Sequence, residues 1–251
     1  MDFLKINNKI LRINGDVVTV NVTQPIPPTP GPPAVIEDGN TVAWYDSSDL
    51  TTITKDSSDF VSVWADKLGS GHDLLQTDGI RQPLWVETDG VLFDGETTVG
   101  WGDAMQTDTF VLEQPEFIYM VYSEITYINS ARIFDGFNRT SGVLLNSTFT
   151  KKILYAGGTL LSVYDFPYQT FGIVRVLFNG ISSKYQLNEL TPIIWDTGSS
   201  DSMDGFSLAS RPSGASGFSN IQVKEIIIRK VADAAQDEQD IYDYLANKYS
   251  I

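Results

Sequence analysis

The chain has no cysteine in its 251 residues, which excludes a disulfide scaffold and thiol chemistry. It has one histidine, His72. A Ser-His-Asp site would have to use that residue, which lies in a Gly-rich turn. Basic residues are scarce: 17 Lys and Arg against 32 Asp and Glu, for a net charge of −15. A field of that sign repels nucleic acid and anionic membrane surfaces, and no basic cluster offers a local exception. No run of about 18 apolar residues exists to span a membrane. The start, MDFLKINNKILRINGD, lacks the apolar core and small-residue cleavage site of a signal peptide, so export is not expected. Phosphate-loop and dinucleotide fingerprints are also missing.

What is present points to a β-protein in three parts. Hydrophobic residues make up 42% of the chain and aromatics 12%, a composition suited to sheet-on-sheet cores. Residues 1–22 read as a small β-meander. Leu4 and Ile6 alternate, Ile13 ends a second candidate strand, and Val18, Val20 and Val22 line one face of a third. Between them Asn14-Gly15 signals a type I′ hairpin, whose two central residues need positive φ. Strands this short do not bury enough surface to be stable alone. Leu4, Ile6, Ile13, Val18, Val20 and Val22 are therefore expected to pack on another surface, as an assembly anchor. Residues 23–40 hold six of the eleven prolines and read as a stiff linker; the alternative is an ordered strap on the surface of the main domain.

From Thr41 the pattern is strand, turn, strand. Segments such as 61–66, 117–123, 142–146, 152–157, 171–180, 183–188 and 223–231 alternate with Gly, Asn, Asp and Ser. Long helices are not interleaved, so the fold class is all-β, a sandwich or jelly roll. One helix closes the chain. Asp233 and Gln236 form its expected capping box, and Ile241, Tyr244, Leu245 and Lys248 share one face.

The stretches AWYDSSDLTTIT, VSVWADKLGSGHDLLQ, RQPLWV and GVLFDG resemble the opening of bacterial and phage LamG-like domains. Trp44 to Asp46, Trp64 to Gly71, Gln82-Pro83 and Phe93 to Gly95 carry the likeness. The ending, KEIIIRKVADAAQDEQDIYDYLANKYSI, is similar to the last strand and closing helix of the same domains. The resemblance covers residues 41–251 and implies a concanavalin A-like jelly-roll sandwich. It implies function only weakly, because the fold serves many duties.

Glycosidases of this fold set carboxylates at alternate positions of one strand, as E-x-D-x-x-E or E-x-D-x-E, so that all face one bond. Glu87-x-Asp89 and Asp94-x-Glu96 both lack the third member, and Glu238-x-Asp240 lies on the helix. No catalytic residue is assigned, and the chain is expected not to be an enzyme. Asp66, Asp73 and Asp94 are calcium candidates by type only, since Asp66 with Gly69 and Gly71 also suits a tight turn; no other cofactor is expected. For sugar binding the candidates are Trp101 in the GWGD loop and Tyr127, while Trp44 and Trp64 read as core.

The plan of anchor (1–22), linker (23–40) and sandwich (41–251) suits a protein fixed at one end and displaying a domain at the other. The leading expectation is a non-enzymatic phage virion structural protein of head-fibre, decoration or tail-fibre type, assembled in the host cytoplasm. Its partners would be other virion proteins, bound through the N-terminal segment, and a host glycan, with neither nucleic acid nor membrane involved. A homo-oligomer such as a trimer would let the meanders complete one another's sheets. The alternative is a carbohydrate-binding module of a bacterial surface system.

Overall fold

The computed structural model describes residues 10–13, 16–19, 31–98, 101–137, 142–147, 151–162, 164–199, 202–214 and 216–251. The chain divides into two compact units, Met1–Gly31 and Pro32–Ile251. In the first, β1 (Ile10–Ile13) and β2 (Asp16–Thr19) pair antiparallel, with Ile13 opposite Asp16 and Leu11 opposite Val18. Leu4, Ile6, Val20 and Val22 lie outside the described residues, as do Asn14 and Gly15.

The second unit is an all-β sandwich closed by one helix. Its strands are β3 (Thr41–Asp46), β4 (Ile53–Lys55), β5 (Val61–Trp64), β6 (Leu74–Leu75), β7 (Leu84–Val86), β8 (Gly90–Asp94), β9 (Glu96–Thr98), β10 (Trp101–Gly102), β11 (Met105–Gln106) and β12 (Glu116–Thr126). They continue with β13 (Arg132–Gly136), β14 (Val143–Asn146), β15 (Lys152–Tyr155), β16 (Thr159–Leu161), β17 (Gly172–Phe178), β18 (Ser183–Leu187), β19 (Ile193–Trp195), β20 (Phe206–Leu208) and β21 (Asn220–Arg229). The helix α1 spans Ala235–Tyr249. One sheet runs β16-β15-β14-β13-β20-β11-β6-β5-β4. The other runs β19-β18-β17-β12-β21-β8-β7, with β3 also paired to β21, so β3 and β8 share one edge of that strand end to end.

Strand alternation decides which side chains meet. On β12, Ile118, Met120 and Tyr122 point between the sheets, while Phe117, Tyr119 and Val121 point outward. β21 repeats this, with Ile226 and Ile228 inward and Ile227 outward. The outward set is covered by Ile241, Tyr242, Tyr244 and Leu245 of α1. Burial on both faces explains why these strands read as continuous apolar runs. Each such side chain contributes about 1.5–3 kcal/mol when fully buried.

The helix is held as well as packed. The buried Glu225 carboxylate accepts from Trp44 Nε1 (2.7 Å), Tyr244 Oη (3.0 Å), Lys248 Nζ (2.7 Å) and Tyr249 Oη (2.7 Å). Lys248 and Lys67 also bracket Asp46, at 2.8 and 2.9 Å. Asp66 accepts from the Trp44 and Leu68 amides, and its other oxygen accepts from the Ser70 amide and hydroxyl. Gly69 and Gly71 have φ of +69° and +86°, the left-handed region that turn requires. The motif residues at the two ends of the sandwich thus meet in one polar cluster that joins helix to sheet.

Two expectations need correction. Asp233 does not cap α1: Ala234 holds the N-cap position without a side-chain bond. Asp233 is taken instead by Arg229 Nε (2.8 Å) and Tyr119 Oη (2.8 Å), charged and buried partners that outcompete a backbone amide. The compact unit also starts before Thr41. Ala34–Glu37 form a 3-10 turn with Ile36 buried against the helix-side core. Arg229 fixes that turn through Val35 O (2.6 Å) and Asp38 (3.0 Å).

Candidate functional site

With α1 over one sheet, the outer face of the nine-stranded sheet is where the fold leaves room. Leu144, Leu154, Leu160 and Phe134 point into the core, so their neighbours point out. Val143, Leu145, Ile153 and Tyr155 form the floor of a cavity of about 530 Å³, and Arg132, Asp135 and Arg211 stand at its polar side.

Arg132 and Asp135 are three residues apart, a spacing that puts side chains on opposite faces of a regular strand. The register of β13 against β14 shifts between Arg132 and Phe134. That bulge re-aims the side chains and brings both to the same cavity. Arg132 Nε lies 3.3 Å from Asp135 Oδ2, while Asp135 Oδ1 is buried with no hydrogen-bond partner. Asp135 is only 2% exposed. Burial pushes its carboxyl up to about 7, against the pull of Arg132. Burial, and next the charge of Arg211, hold the Arg132 guanidinium below its usual range although Asp135 opposes them. The cavity therefore pairs an apolar floor and one aromatic ring with two guanidinium groups and a carboxyl poised to change charge near neutrality.

A second cavity, of about 610 Å³, is lined by Phe60, Ile80, Leu84, Leu92, Asp94 and Asp103 among others. The Asp94 amide donates to Asp103 Oδ2 at 3.0 Å and the Asp103 amide to Asp94 Oδ1 at 3.4 Å. Burial, reinforced by the charge of Asp94, pushes Asp103 up to about 7. Carboxyls close enough to share a proton are nearer than the roughly 5–5.5 Å of a retaining glycosidase pair.

Of the sugar candidates, Trp101 sits on the short strand β10, 48% exposed. Tyr127 is half-buried, its hydroxyl bonded to Ser147 O at 2.8 Å and Asn129 Oδ1 at 3.0 Å. Neither lines the Asp135 cavity. Of the calcium candidates, Asp66 and Asp73 serve the turn after β5, where Asp73 Oδ1 accepts the Asp66 amide, and Asp94 belongs to the pair above. Among the described residues no group of three or more His, Asp or Glu is placed to hold a metal. The sequence reading missed Arg132, Asp135, Tyr155 and Arg211. The one signal, for Arg132 and Asp135 alone, was two charged residues in the otherwise apolar strand RIFDG.

No family model and no curated protein matches the chain. Solved structures do. The sialidase of Trypanosoma rangeli in complex with sialic acid is 11% identical, with a TM-score of 0.58 over 88% of this chain and 36% of that one. A GH54 α-L-arabinofuranosidase soaked with 4-nitrophenyl α-L-arabinofuranoside is 11% identical, with a TM-score of 0.60 over 87% and 66%. An arabinofuranosidase complexed with arabinofuranosyl-α-1,2-xylobiose is 12% identical, with a TM-score of 0.58 over 87% and 65%. The chain thus spans about a third of the sialidase and just under two thirds of the arabinofuranosidases.

At this identity the likeness concerns the fold, and it overturns the expectation of a non-enzyme. Structures sharing the sandwich include sialidases and arabinofuranosidases, so the architecture gives no ground for excluding catalysis. The expectation failed because it sought carboxylates on one strand. A folded sheet also gathers acids from neighbouring strands and loops, as Asp94 and Asp103 show.

Proposed function

We propose that the protein is a saccharide-recognising sandwich module that holds an acidic sugar in the Asp135 cavity. One observation carries this reading: an open-faced cavity that combines Tyr155 and an apolar floor with two arginines and a buried, unpartnered carboxyl oxygen. A sugar ring places its C–H face on such a floor and its polar groups on the rim. Two guanidinium groups at one cavity, in a chain of net charge −15, favour an anionic substituent. Support comes also from the neighbours, solved with sialic acid and with an arabinofuranosyl xylobiose. The LamG-like motifs and the acidic composition add the reading that the module is displayed by a phage particle, anchored through residues 1–22.

Calorimetric titration of the full chain with acidic and neutral oligosaccharides tests the first part. Acidic ligands are expected to bind, and Tyr155→Ala and Arg211→Ala each to weaken them about tenfold, one contact of roughly 1.4 kcal/mol. Equal binding of neutral sugars, or no effect of either variant, overturns the assignment. Release of reducing ends in the same samples reports hydrolysis. For the second part, the full chain is expected to co-sediment with particles and the chain lacking residues 1–22 to remain free; equal incorporation of both refutes the anchor.

A further inference from the structure

At one end of the sandwich three polar side chains meet inside the core. Glu124 comes from β12, Asn146 from β14 and Lys152 from β15, and Asn146 and Lys152 are directly opposed across the β14–β15 pair. Glu124 and Lys152 have no exposed surface and Asn146 is 1% exposed. Lys152 Nζ donates to Glu124 Oε2 and, at 2.7 Å, to Asn146 Oδ1. Asn146 Nδ2 donates to Glu124 Oε1 at 2.5 Å and to Ile128 O at 3.2 Å. Phe166, stacked on Tyr122 at 4.3 Å between ring centres, closes the site beneath Lys152.

We propose that these three residues form an intramolecular amide bond, with Lys152 as nucleophile, the Asn146 side-chain amide as acyl donor and Glu124 as proton carrier. A closed ring of amine, carboxamide and carboxyl is more than a buried ion pair needs, since the pair alone does not require the amide to touch both partners. Burial works toward the reactive forms: it pushes Glu124 up and Lys152 down, each against the other's charge. A neutral amine beside a protonated carboxyl is the state in which Nζ has a free electron pair.

The step balances within the triad. Glu124 takes a proton from the Lys152 ammonium, and Nζ adds to Asn146 Cγ. The Cγ–Nδ2 bond then breaks as the departing nitrogen takes one further proton from Nζ by way of Glu124, which already contacts Nδ2. Ammonia leaves, an Nζ–Cγ amide remains, and Glu124 is left protonated. One C–N bond forms, one breaks, and no oxidant or reductant is consumed. The remaining motion is a turn of the Asn146 amide plane to present Cγ instead of Oδ1, about a torsion that is soft in asparagine. Holding the reactants in contact without water supplies the entropic part of the barrier. The bond would tie β14 to β15, the strands that carry Leu145, Ile153 and Tyr155 of the saccharide cavity.

Intact-mass and peptide mass spectrometry of the purified, folded full chain tests this. The expected mass lies below the sequence mass by one ammonia, with a fragment linking residues 146 and 152 after trypsin cuts at Lys151. Lys152→Met and Glu124→Gln should restore the sequence mass. A wild-type chain that is folded by circular dichroism yet has its full sequence mass overturns the proposal. So does an ammonia loss that persists in Lys152→Met, because that would mark a succinimide at Asn146 instead of a cross-link.

Discussion

Asp135 links the cavity to pH through a sign that is unusual for a carboxylate. Its folded value is raised from 3.8 to about 7. The folded chain therefore holds a proton that the unfolded chain has released between about pH 4 and pH 7. Stability contributed by this group is present below the unfolded value and is lost as pH rises through that window. A shift of about three units corresponds to about 4 kcal/mol at 1.36 kcal/mol per unit. Arg132 is close enough to follow the charge and the cavity admits water, so about half of that, roughly 2 kcal/mol, is expected. The perturbation is Asp135→Asn, which keeps the shape and removes the titration. Asp103 also rises to about 7 and gives the same slope in both proteins, so the difference between them isolates Asp135. The assay is urea unfolding of both proteins from about pH 5 to pH 8, read as free energies. The variant should gain on the wild type by about 1.4 kcal/mol across that range, because about two of those three units lie within it. A difference constant to within about 0.5 kcal/mol would mean that Asp135 is ionised throughout, and the reasoning about its burial would be wrong.

Two further outcomes test the fold. Glu225→Ala strands the Trp44 indole N–H and the Tyr249 hydroxyl, while Lys248 keeps Asp46. At about 1–3 kcal/mol per stranded group the loss should be about 3–4 kcal/mol, a fall in Tm of roughly 10 °C for a unit of this size; a fall under about 3 °C would show that the donors find other partners. Gly90 sits at φ +84°, and a Cβ there would lie 2.2 Å from Val223 O. Gly90→Ala should therefore cost more than about 2 kcal/mol, or prevent β8 from pairing with β21, as thermal unfolding would report.

The strands of the central sheet were legible because burial on both faces leaves an apolar run, and 117–123 and 223–231 carry it plainly. The face of α1 was legible for the same reason: Ile241, Tyr244 and Leu245 recur at helical spacing. The capping box was misread because Asp233 satisfies the cap pattern locally yet is claimed by Arg229, four residues earlier at the end of β21, and by Tyr119 of β12, which is far from α1 in sequence. Trp101 and Tyr127 were chosen for residue type, and type does not say which surface a cavity opens on.

The amino-acid sequence by itself determined the class of fold, the closing helix and the turn at Asp66, because those depend on local periodicity and backbone conformation. Tertiary structure alone decided the sites. A bulge in β13 turned Arg132 and Asp135 to one face against the alternation rule. Sheet pairing set Asn146 opposite Lys152, and stacking of the two sheets brought Glu124 onto both. Chemistry of that kind comes from a bulge, from strand pairing and from packing between sheets, which no periodicity along a single strand encodes.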